Sequence, residues 1–480
     1  KKMILIDILI VIIVLIAILY VVTIIRQKFP GKSRKHAPPM VGSYLPIPLG
    51  SIVSFGKNPV KFVQDCYKRY GDVFTAHILG KNMTFIVHPK DFAPFFEARD
   101  THMDQRAVYK FMSTVFGKGV VYDAESSDVM MEQLRFVMAG LKTDRFPRLV
   151  QIVEEEVFAQ MKQMGDEGEV DLMDMLAKLI IFTASRCLLG DGVRSYLENK
   201  NMAQLYHDLD DGISPAAFFI PGIPQKKRDV SVKEIRHIFQ QLIDYRKAHP
   251  EDDVEKDPLH TLLRATYRSG KPVPEEHMIG ILLAGLFAGQ HTSSITSTWT
   301  LMNILKDPRI EKKVLEEQEN VVGFRDENLT WATIKKMTYL ENCMNEALRM
   351  FPPLIMVMRR VAKKVKVGNF TIPKGDIAAV NIAASSRLPD IYTKPNEFEP
   401  ERFERLEHKK YPHSDVLFGS GVHRCLGENF ARMQVKSIIS ILMRHYKFEL
   451  TGPSFPEVSY LSLVATPNQK CMVSYKKRQD

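Results

Sequence analysis

The sequence predicts a mainly α-helical fold with small β-sheets, a long central helix and an N-terminal transmembrane helix. Apolar residues recur with a helical period from Val129 to Tyr245, and an uncharged segment from Met278 to Leu305 lies within one uninterrupted helical pattern. Residues 8–25 form a second apolar run. The chain has 480 residues, is 45% hydrophobic and 25% charged, and has no internal repeat, so we expect one large folded domain with an N-terminal appendage.

The first element is the apolar run at residues 8–25, which carries no formal charge and is long enough to span a bilayer. Arg26, Lys28 and the further basic residues up to Lys35 follow it, and by the positive-inside rule they keep the following chain in the cytosol. Since no small-residue cleavage site is present, we expect a retained anchor. The expected organisation is residues 1–26 as membrane anchor, 27–50 as a basic, proline-rich linker and 51–480 as the catalytic domain.

Further along the chain, residues 73–79 and 83–87 flank Gly80-Lys81-Asn82, which predicts a β-hairpin. Residues 191–201 and 213–228 are expected to be loops. The longest helix should begin near Pro274 and end before Pro308. Its cluster of Gln, His, Ser and Thr residues at 290–298 is too polar for a second membrane span and favours a buried central helix.

The net charge of +10 arises from 66 basic and 56 acidic residues. It fits a docking face for an acidic redox partner, contact with an anionic membrane, or a mildly basic solvated surface. The five cysteines are scattered and odd in number, without a C-x-x-C pair, which argues against a disulfide framework and for a reducing compartment. The sequence contains no nucleic-acid-binding motif.

One cysteine, Cys425, follows a glycine-rich turn and precedes a predicted helix over residues 428–444. Gly419 and Gly421 allow a tight turn and close approach to a flat ligand. The free N–H groups at the helix start stabilise a thiolate, which is the environment in which haem iron holds a cysteinate. The alternatives are a buried structural cysteine and a zinc site with His413 and His423, which lacks a second closely spaced cysteine and a fourth ligand.

The pattern F-x-x-G-x-x-x-C-x-G, from Phe418 to Gly427, resembles the haem-binding loop of the cytochrome P-450 family. The resemblance implies the P-450 fold with its central helix over haem b (iron protoporphyrin IX), and Cys425 as the iron ligand. In the predicted central helix, residues 288–292 resemble the family's oxygen-binding groove, A-G-x-x-T. His291 and Thr292 are then expected to relay protons to dioxygen. The alternative for this segment is a polar patch on a core helix.

A third motif, Glu346-Ala347-Leu348-Arg349, places an acid and a base at i, i+3 on one helix face. It resembles the family's E-x-x-R motif, which Arg402 completes in the sequence at 400–403. The resemblance implies a buried structural ion triad behind the haem. A solvated surface pair is the alternative.

Residues 109–112, 116–123, 183–190 and 352–359 further resemble signatures of the sterol 14α-demethylases within this family. Large apolar side chains suit a flat sterol. The resemblance implies a substrate site formed by Tyr109, Phe111, Met112, Phe116, Ala284, Phe287, Ala288, Leu354, Met356, Met358 and Leu463. For any one of these residues, ordinary core packing is the alternative.

The same resemblance assigns the haem propionates to Tyr109, Tyr122, Arg359 and His423, whose donors and cations suit carboxylates. The family usually has another basic residue in the helix after Tyr122. Here the sequence at 130–135 is apolar at that position, and Arg135 is the candidate replacement. In this family an aromatic residue at the position of Phe111 accompanies a preference for C4-monomethylated sterols, so an obtusifoliol-like substrate is expected over lanosterol.

The implied function is three successive O2- and NADPH-dependent oxidations of a sterol 14α-methyl group, which release formate and form a 14(15) double bond. Electrons are expected from an NADPH-cytochrome reductase, since the chain has no glycine-rich dinucleotide fingerprint. Azole inhibitors are expected to ligate the iron, and the location is the endoplasmic reticulum membrane, single-pass, facing the cytosol. The alternatives are a P-450 monooxygenase for another lipid, a haem-thiolate isomerase or dehydratase, and a non-catalytic sterol- or haem-binding protein.

Overall fold

The computed structural model describes residues 36–42, 50–194, 202–211, 225–250, 257–323 and 327–479, together with nine positions between 11 and 25. Helices dominate the described residues. In chain order they are α1 Ile52–Lys57, α2 Pro59–Tyr70, α3 Ala93–Phe96, α4 Arg106–Tyr109, α5 Ser113–Phe116, α6 Ser127–Ala139, α7 Phe146–Met164, α8 Leu172–Leu189, α9 Met202–Asp211, α10 Lys226–Ala248, α11 Pro258–Leu263, α12 Glu275–Lys306, α13 Pro308–Val322, α14 Trp331–Lys336, α15 Thr338–Met350, α16 Ile382–Ser385 and α17 Glu428–His445.

The strands are short and fall into four small sheets. They are β1 Val73–Ile78, β2 Lys81–Ile86, β3 Met103–Asp104, β4 Glu167–Asp171, β5 Val357–Val361, β6 Val365–Val367, β7 Phe370–Ile372, β8 Ile377–Val380, β9 Tyr446–Leu450, β10 Val458–Ser459, β11 Thr466–Pro467 and β12 Met472–Lys477. The chain separates into two compact units. The first comprises Lys1–Val108, Ile355–Pro395 and Glu407–Arg424, and the second comprises Tyr109–Leu354, Asn396–Leu406 and Cys425–Asp480.

The first unit is built on a five-stranded sheet in the order β1-β2-β8-β5-β3. Strands β1 and β2 form the antiparallel hairpin that the sequence predicts, with Val73 opposite Ile86. Phe92, Phe95 and Phe96 pack with apolar residues of the sheet in a buried core. Residues 36–42 of the predicted linker also contact this unit, because the Val41 N–H donates to the Thr75 carbonyl at 2.7 Å.

The second unit is organised around α12, a 32-residue helix with Pro274 at its N-cap. At a rise of about 1.5 Å per residue it is about 48 Å long. Most of its side chains are buried, and α8 is its main neighbour. Trp299 of α12 stacks on Phe351 with ring centroids 4.1 Å apart. The sequence-based prediction of a long buried central helix is confirmed.

This buried helix tolerates threonine hydroxyl groups because each hydroxyl donates a hydrogen bond to a backbone carbonyl of the same helix. Thr292 donates to the Ala288 carbonyl at 2.7 Å, Thr296 to the Thr292 carbonyl at 2.7 Å, and Thr300 to the Thr296 carbonyl at 2.6 Å. Such i−4 bonds satisfy a buried hydroxyl within the helix. Among the described residues, α12 alone is long and apolar enough to cross a membrane, but 78% of its apolar window is buried.

Other local predictions have mixed outcomes. Helix α17 covers the predicted 428–444 and extends by one residue. The predicted loop at 213–228 is wrong at its end, because α10 begins at Lys226 and buries Arg228. In the other predicted loop, residues 191 and 192 form a turn, whereas residues 193 and 194 are helical. Residues 213–224 and 195–201 of these two loops, and the basic stretch at 26–35, lie outside the described residues. In the predicted anchor, the nine described positions are helical, and their large apolar side chains, such as Val11, Leu15 and Ile18, are exposed.

Candidate active site

The turn before Cys425 needs glycine at two positions. Gly419 and Gly421 have φ of +70° and +64°, a region that L residues with side chains rarely adopt. A Cβ at Gly421 would also lie 2.1 Å from the Phe96 carbonyl oxygen. The turn ends in a short 3₁₀ segment, Gly421–His423, and α17 follows at Glu428. This local structure matches the glycine-rich turn that the sequence predicts.

Cys425 is exposed, whereas the four other cysteines are buried. Burial raises the pKa of the Cys66 thiol to about 11 and that of the Cys471 thiol to about 12, so these groups stay protonated. The interpretation of Cys425 as a buried structural cysteine is therefore wrong. The zinc interpretation fails as well, because no three His, Cys, Asp or Glu side chains in the described parts of the chain are grouped to hold a metal ion.

In the first unit, the segment from Phe95 to Asp100 orients two of the predicted propionate partners. Arg359 is buried, and its guanidinium lies 4.6 Å from the centre of the Phe95 ring. It donates to the carbonyls of Phe95 and of Ala98, the latter at 3.2 Å. Nε2 of His423 lies 2.8 Å from the Asp100 carboxylate. Since Nε2 is engaged, His423 can donate to a second anion only from Nδ1, and only as an imidazolium.

In the second unit, aromatic rings form a continuous series of contacts. The centroids of Tyr109 and Tyr122 are 5.3 Å apart, those of Tyr122 and Phe116 6.3 Å, and those of Phe116 and Phe287 5.9 Å. Phe287 continues the series to His291 at 5.9 Å. Desolvation raises the pKa of Tyr122 to about 12, so its hydroxyl remains a donor at neutral pH. The structure thereby brings together residues that the sequence assigns to cofactor, substrate and oxygen groove.

The groove residues of α12 face different surroundings. Ala288 is exposed, and a Cβ built on Gly289 would meet no other atom within 4 Å, although most of the helix is buried. The Thr292 hydroxyl donates to the Ala288 carbonyl and retains lone pairs to accept another bond. His291 is buried, with Nε2 3.1 Å from the Tyr206 carbonyl. The helix therefore presents open backbone at Gly289, beside a threonine hydroxyl.

The predicted ion triad is present in the second unit. Both oxygens of Glu346 bind Arg349, at 2.7 and 2.8 Å, and Oε1 also accepts from Arg402 Nε at 2.8 Å. The backbone N–H of Glu399 donates to the same oxygen at 2.9 Å. All three charged side chains are fully buried. The alternative of a solvated surface pair is wrong.

Comparison with known proteins agrees with these features. The family model described as Cytochrome P450, here written P-450, matches residues 39–474. The chain belongs to the cytochrome P-450 family. Curated relatives include lanosterol 14-alpha demethylase of Bos taurus, 37% identical, with 92% of this chain and 88% of the relative covered.

Two plant relatives are also 37% identical. They are sterol 14-demethylase of Arabidopsis thaliana, with 93% of this chain and 92% of the relative covered, and obtusifoliol 14-alpha demethylase of Sorghum bicolor, with 94% and 92% covered. The structure of retinoic acid bound cyanobacterial CYP120A1 has a TM-score of 0.80 and 22% identity, over 92% of this chain and 100% of that one. It shows the shared P-450 fold.

This cytochrome P-450 is therefore an oxidoreductase of the monooxygenase type, and its cofactor is haem. Within the second unit, an exposed thiol at Cys425 and the phenols of Tyr109 and Tyr122 fit that group. Within the first unit, the guanidinium of Arg359 suits a carboxylate. The open backbone at Gly289 suits a flat ligand as well.

The remaining predicted site residues differ in burial. Met112 and Ala284 are buried, as are Phe116 and Phe287. Leu354 is 44% exposed, and Arg135 is exposed on α6. The half-buried residues are Tyr109, Phe111, Tyr122, Met356, Met358 and Leu463. Their roles toward substrate and haem stay predictions.

Sequence reasoning missed several residues that hold the predicted propionate partners or the turns beside them. They include Glu97, Asp100 and Ser420 in the first unit, and Gln133 in the second. Gln133 is fully buried and accepts the Val121 N–H at 2.6 Å, although the sequence of α6 suggested only a missing basic residue. The sequence offers no signal for this residue, because its burial and its bond to Val121 are visible only in the structure.

Proposed function

We propose that this cytochrome P-450 is a sterol 14α-demethylase. The observation that carries the proposal is the aromatic series from Tyr109 to His291, which joins the predicted substrate residues to the predicted oxygen groove. A flat, apolar substrate needs such a surface, with few polar groups to fix its orientation. The names of the relatives, which cover more than nine-tenths of this chain, support the same substrate class.

In this proposal Cys425 holds the haem iron, and Tyr109, Tyr122, Arg359 and His423 bind the propionates. When bound, haem with a thiolate ligand supplies the chemistry that activates dioxygen for insertion into a C–H bond. Arg359 is suited to its task because backbone carbonyls and the Phe95 ring already fix its guanidinium. The Glu346 triad has a structural role, since its charges are fully buried.

Proton handling is assigned to Thr292 and His291. Thr292 Oγ1 donates to the Ala288 carbonyl, so it can accept a hydrogen bond at once but must release Ala288 before it donates. His291 Nε2 lies 3.1 Å from the Tyr206 carbonyl, so the proposed proton relay is assigned to the other ring nitrogen, Nδ1. Thr292 lies one helical turn from the open backbone of Gly289, whereas His291 lies on a different, buried face of α12.

The reaction we propose is three successive oxidations of the 14α-methyl group, with release of formate and formation of the 14(15) double bond. Electrons come from an NADPH-cytochrome reductase, because the sequence has no dinucleotide-binding fingerprint. Azole nitrogens are expected to compete for the iron. The apolar run at 8–25 and the basic residues after it anchor the chain in the endoplasmic reticulum membrane, with residues 51–480 as the catalytic domain in the cytosol.

For the substrate we propose a C4-monomethylated sterol such as obtusifoliol. Phe111 is half-buried and its ring lies 6.5 Å from that of Tyr109, so it belongs to the same aromatic surface. A ring at this position crowds a second C4 methyl group, whereas a leucine leaves room for it.

The test is an optical titration of the haem-loaded ferric protein with obtusifoliol and with lanosterol. A shift of the Soret band toward high spin would report that the sterol enters the site. We expect obtusifoliol to saturate at the lower concentration and Phe111→Leu to narrow the difference. Phe158→Leu, at a half-exposed position on α7, should leave both titrations unchanged. Absence of any shift with either sterol would contradict the sterol assignment, and tighter binding of lanosterol would contradict the C4 preference alone.

A further inference from the structure

His413 links the turn before Cys425 to the Phe95–Asp100 segment within the first unit. Its Nδ1 lies 2.7 Å from the Ser420 hydroxyl, and its Nε2 lies 3.0 Å from the Glu97 carboxylate. Ser420 stands between the two positive-φ glycines, Gly419 and Gly421, and is itself buried. Both ring nitrogens of one histidine are thus used to join a carboxylate to the middle of the turn.

The backbone at His413 supports a specific role for this side chain. Its φ is +58°, a left-handed conformation that is uncommon for residues other than glycine. Such a conformation persists where the surroundings fix it. The imidazole also stacks on the Phe96 ring, with centroids 5.7 Å apart and an angle of 25° between the planes. The carbonyl of the same Phe96 lies against Gly421.

The chemistry of the three groups excludes a catalytic explanation. A serine, a histidine and a carboxylate in this order resemble the triad of a hydrolase, in which the serine must be open to substrate. Ser420 is only 8% exposed and bonds within the turn, whereas the carboxylate end, Glu97, is the exposed one. The arrangement is therefore suited to hold backbone, not to attack a substrate.

We propose that His413 is a positioning residue for the Cys425 turn, acting through Ser420. With Nε2–H donated to Glu97, Nδ1 accepts the Ser420 hydroxyl and fixes the turn at its centre. This keeps Gly421 against Phe96 and holds the chain that leads to His423 and Cys425 in one conformation. The inference rests on the proposed role of Cys425 as the haem ligand.

The test compares His413→Asn, Ser420→Ala and the double variant in the haem-loaded full chain. Asparagine tolerates the left-handed backbone but cannot span from Glu97 to Ser420. The Gly419 amide donates to the Val416 carbonyl at 3.0 Å, and the Arg424 amide donates to the Gly421 carbonyl at 3.2 Å. Hydrogen exchange of these two amides should accelerate by about fivefold to tenfold in each single variant, and no further in the double variant. The ferrous–CO spectrum should show a larger fraction without thiolate ligation. His77→Asn, which removes an imidazole held by Asn82 on the β1–β2 hairpin, should change neither reading.

Unchanged exchange in Ser420→Ala, or additive effects in the double variant, would overturn the proposal. Ser420→Ala is conservative enough to fold, so it decides the question even if His413→Asn does not yield protein. The role of Cys425 is tested separately by Cys425→Ala, which should abolish the thiolate signature in the spectrum. A thiolate signature in Cys425→Ala would contradict the proposed ligand, whereas the amide exchange of the turn reports on His413 alone.

Discussion

Gln133 accepts the backbone N–H of Val121 at 2.6 Å, at a residue whose φ is +48°. Its amide nitrogen donates to the Gly119 carbonyl at 2.8 Å and to the Tyr267 hydroxyl at 3.0 Å. One buried side chain thus fixes both ends of the short turn that precedes Tyr122. Because a β-branched residue at positive φ is unfavourable, this turn needs such an external partner.

The first prediction concerns Gln133→Leu, which leaves the buried Val121 N–H without an acceptor. We expect the free energy of unfolding to fall by about 1–3 kcal/mol. Haem dissociation should also accelerate, and Gln133→Leu should add little to the effect of Tyr122→Phe, since both act on the proposed contact between Tyr122 and a haem propionate. The measurements are denaturant unfolding and transfer of haem to an acceptor protein.

The control is Gln318→Leu, which removes another buried glutamine, bonded to Ser440 on α17. It should lower stability without faster haem dissociation. Equal rates of haem dissociation in Gln133→Leu and Gln318→Leu would mean that Gln133 does not act through Tyr122. Additive effects of Gln133→Leu and Tyr122→Phe on that rate would mean the same.

The second prediction concerns pH and the same turn. The Gly119 N–H, at 3.0 Å, and then Lys110, at 3.2 Å, hold the pKa of the Asp123 carboxyl below its usual value. A carboxyl with a lowered pKa in the folded state stabilises it above the unfolded-state pKa, and the contribution is lost as pH falls through the folded-state value. The wild type should therefore be more stable than Asp123→Asn at neutral pH.

That stability difference should vanish in acid, below the ordinary range of an aspartate, and it is measured by unfolding the two proteins across pH. A difference between the wild type and Asp123→Asn that stays constant in acid would contradict the assignment.

The third prediction concerns the triad. Glu346→Gln removes the buried carboxylate that binds both Arg349 and Arg402, so stability should fall by about 3–5 kcal/mol. Asp65→Asn breaks an exposed ion pair with Lys61 and should lower stability by less than about 1 kcal/mol. Denaturant unfolding of both variants checks this. If Glu346→Gln and Asp65→Asn lowered the free energy of unfolding by similarly small amounts, the buried network would not be a structural element.

Whether the sequence predicts a contact in this structure depends on how far apart the two residues are along the chain. Pro274 and Pro308 mark the ends of α12, and Glu346 and Arg349 lie one helical turn apart, so local rules identify both features. By contrast, Asp100 and His423 are 323 residues apart, and Glu97 and His413 are 316 apart. No local pattern pairs such residues, because the sheet and turns of the first unit bring them together.

The family motifs predicted more of the site residues than the helical periodicity of apolar residues did. Cys425, Thr292 and Arg402 are recognised by spacing, but the groups that orient Arg359 are backbone carbonyls, which leave no trace in the sequence. The role of Gln133 was not predicted, because it depends on the positive φ of Val121. Backbone conformation and backbone acceptors are the physical information that residue identity does not encode.

The fourth prediction compares two hydroxyls on one helix. Thr292→Ala and Thr300→Ala each remove one i−4 bond within α12, so their effects on stability should be similar. Only Thr292→Ala removes a hydroxyl beside the open backbone of Gly289. It should keep haem but lower the sterol product formed per dioxygen consumed, by about tenfold or more. Oxygen uptake and product are measured together, and equal coupling in both variants would remove Thr292 from the proton relay.

The central claim is tested most directly by turnover. The haem-loaded protein is combined with an NADPH-cytochrome reductase and obtusifoliol, and the products are measured as formate and as sterol with a 14(15) double bond. We predict equal amounts of both, dependent on NADPH, and none with Cys425→Ala. Oxidation of the sterol at another position, or NADPH-dependent turnover without formate, would contradict sterol 14α-demethylation.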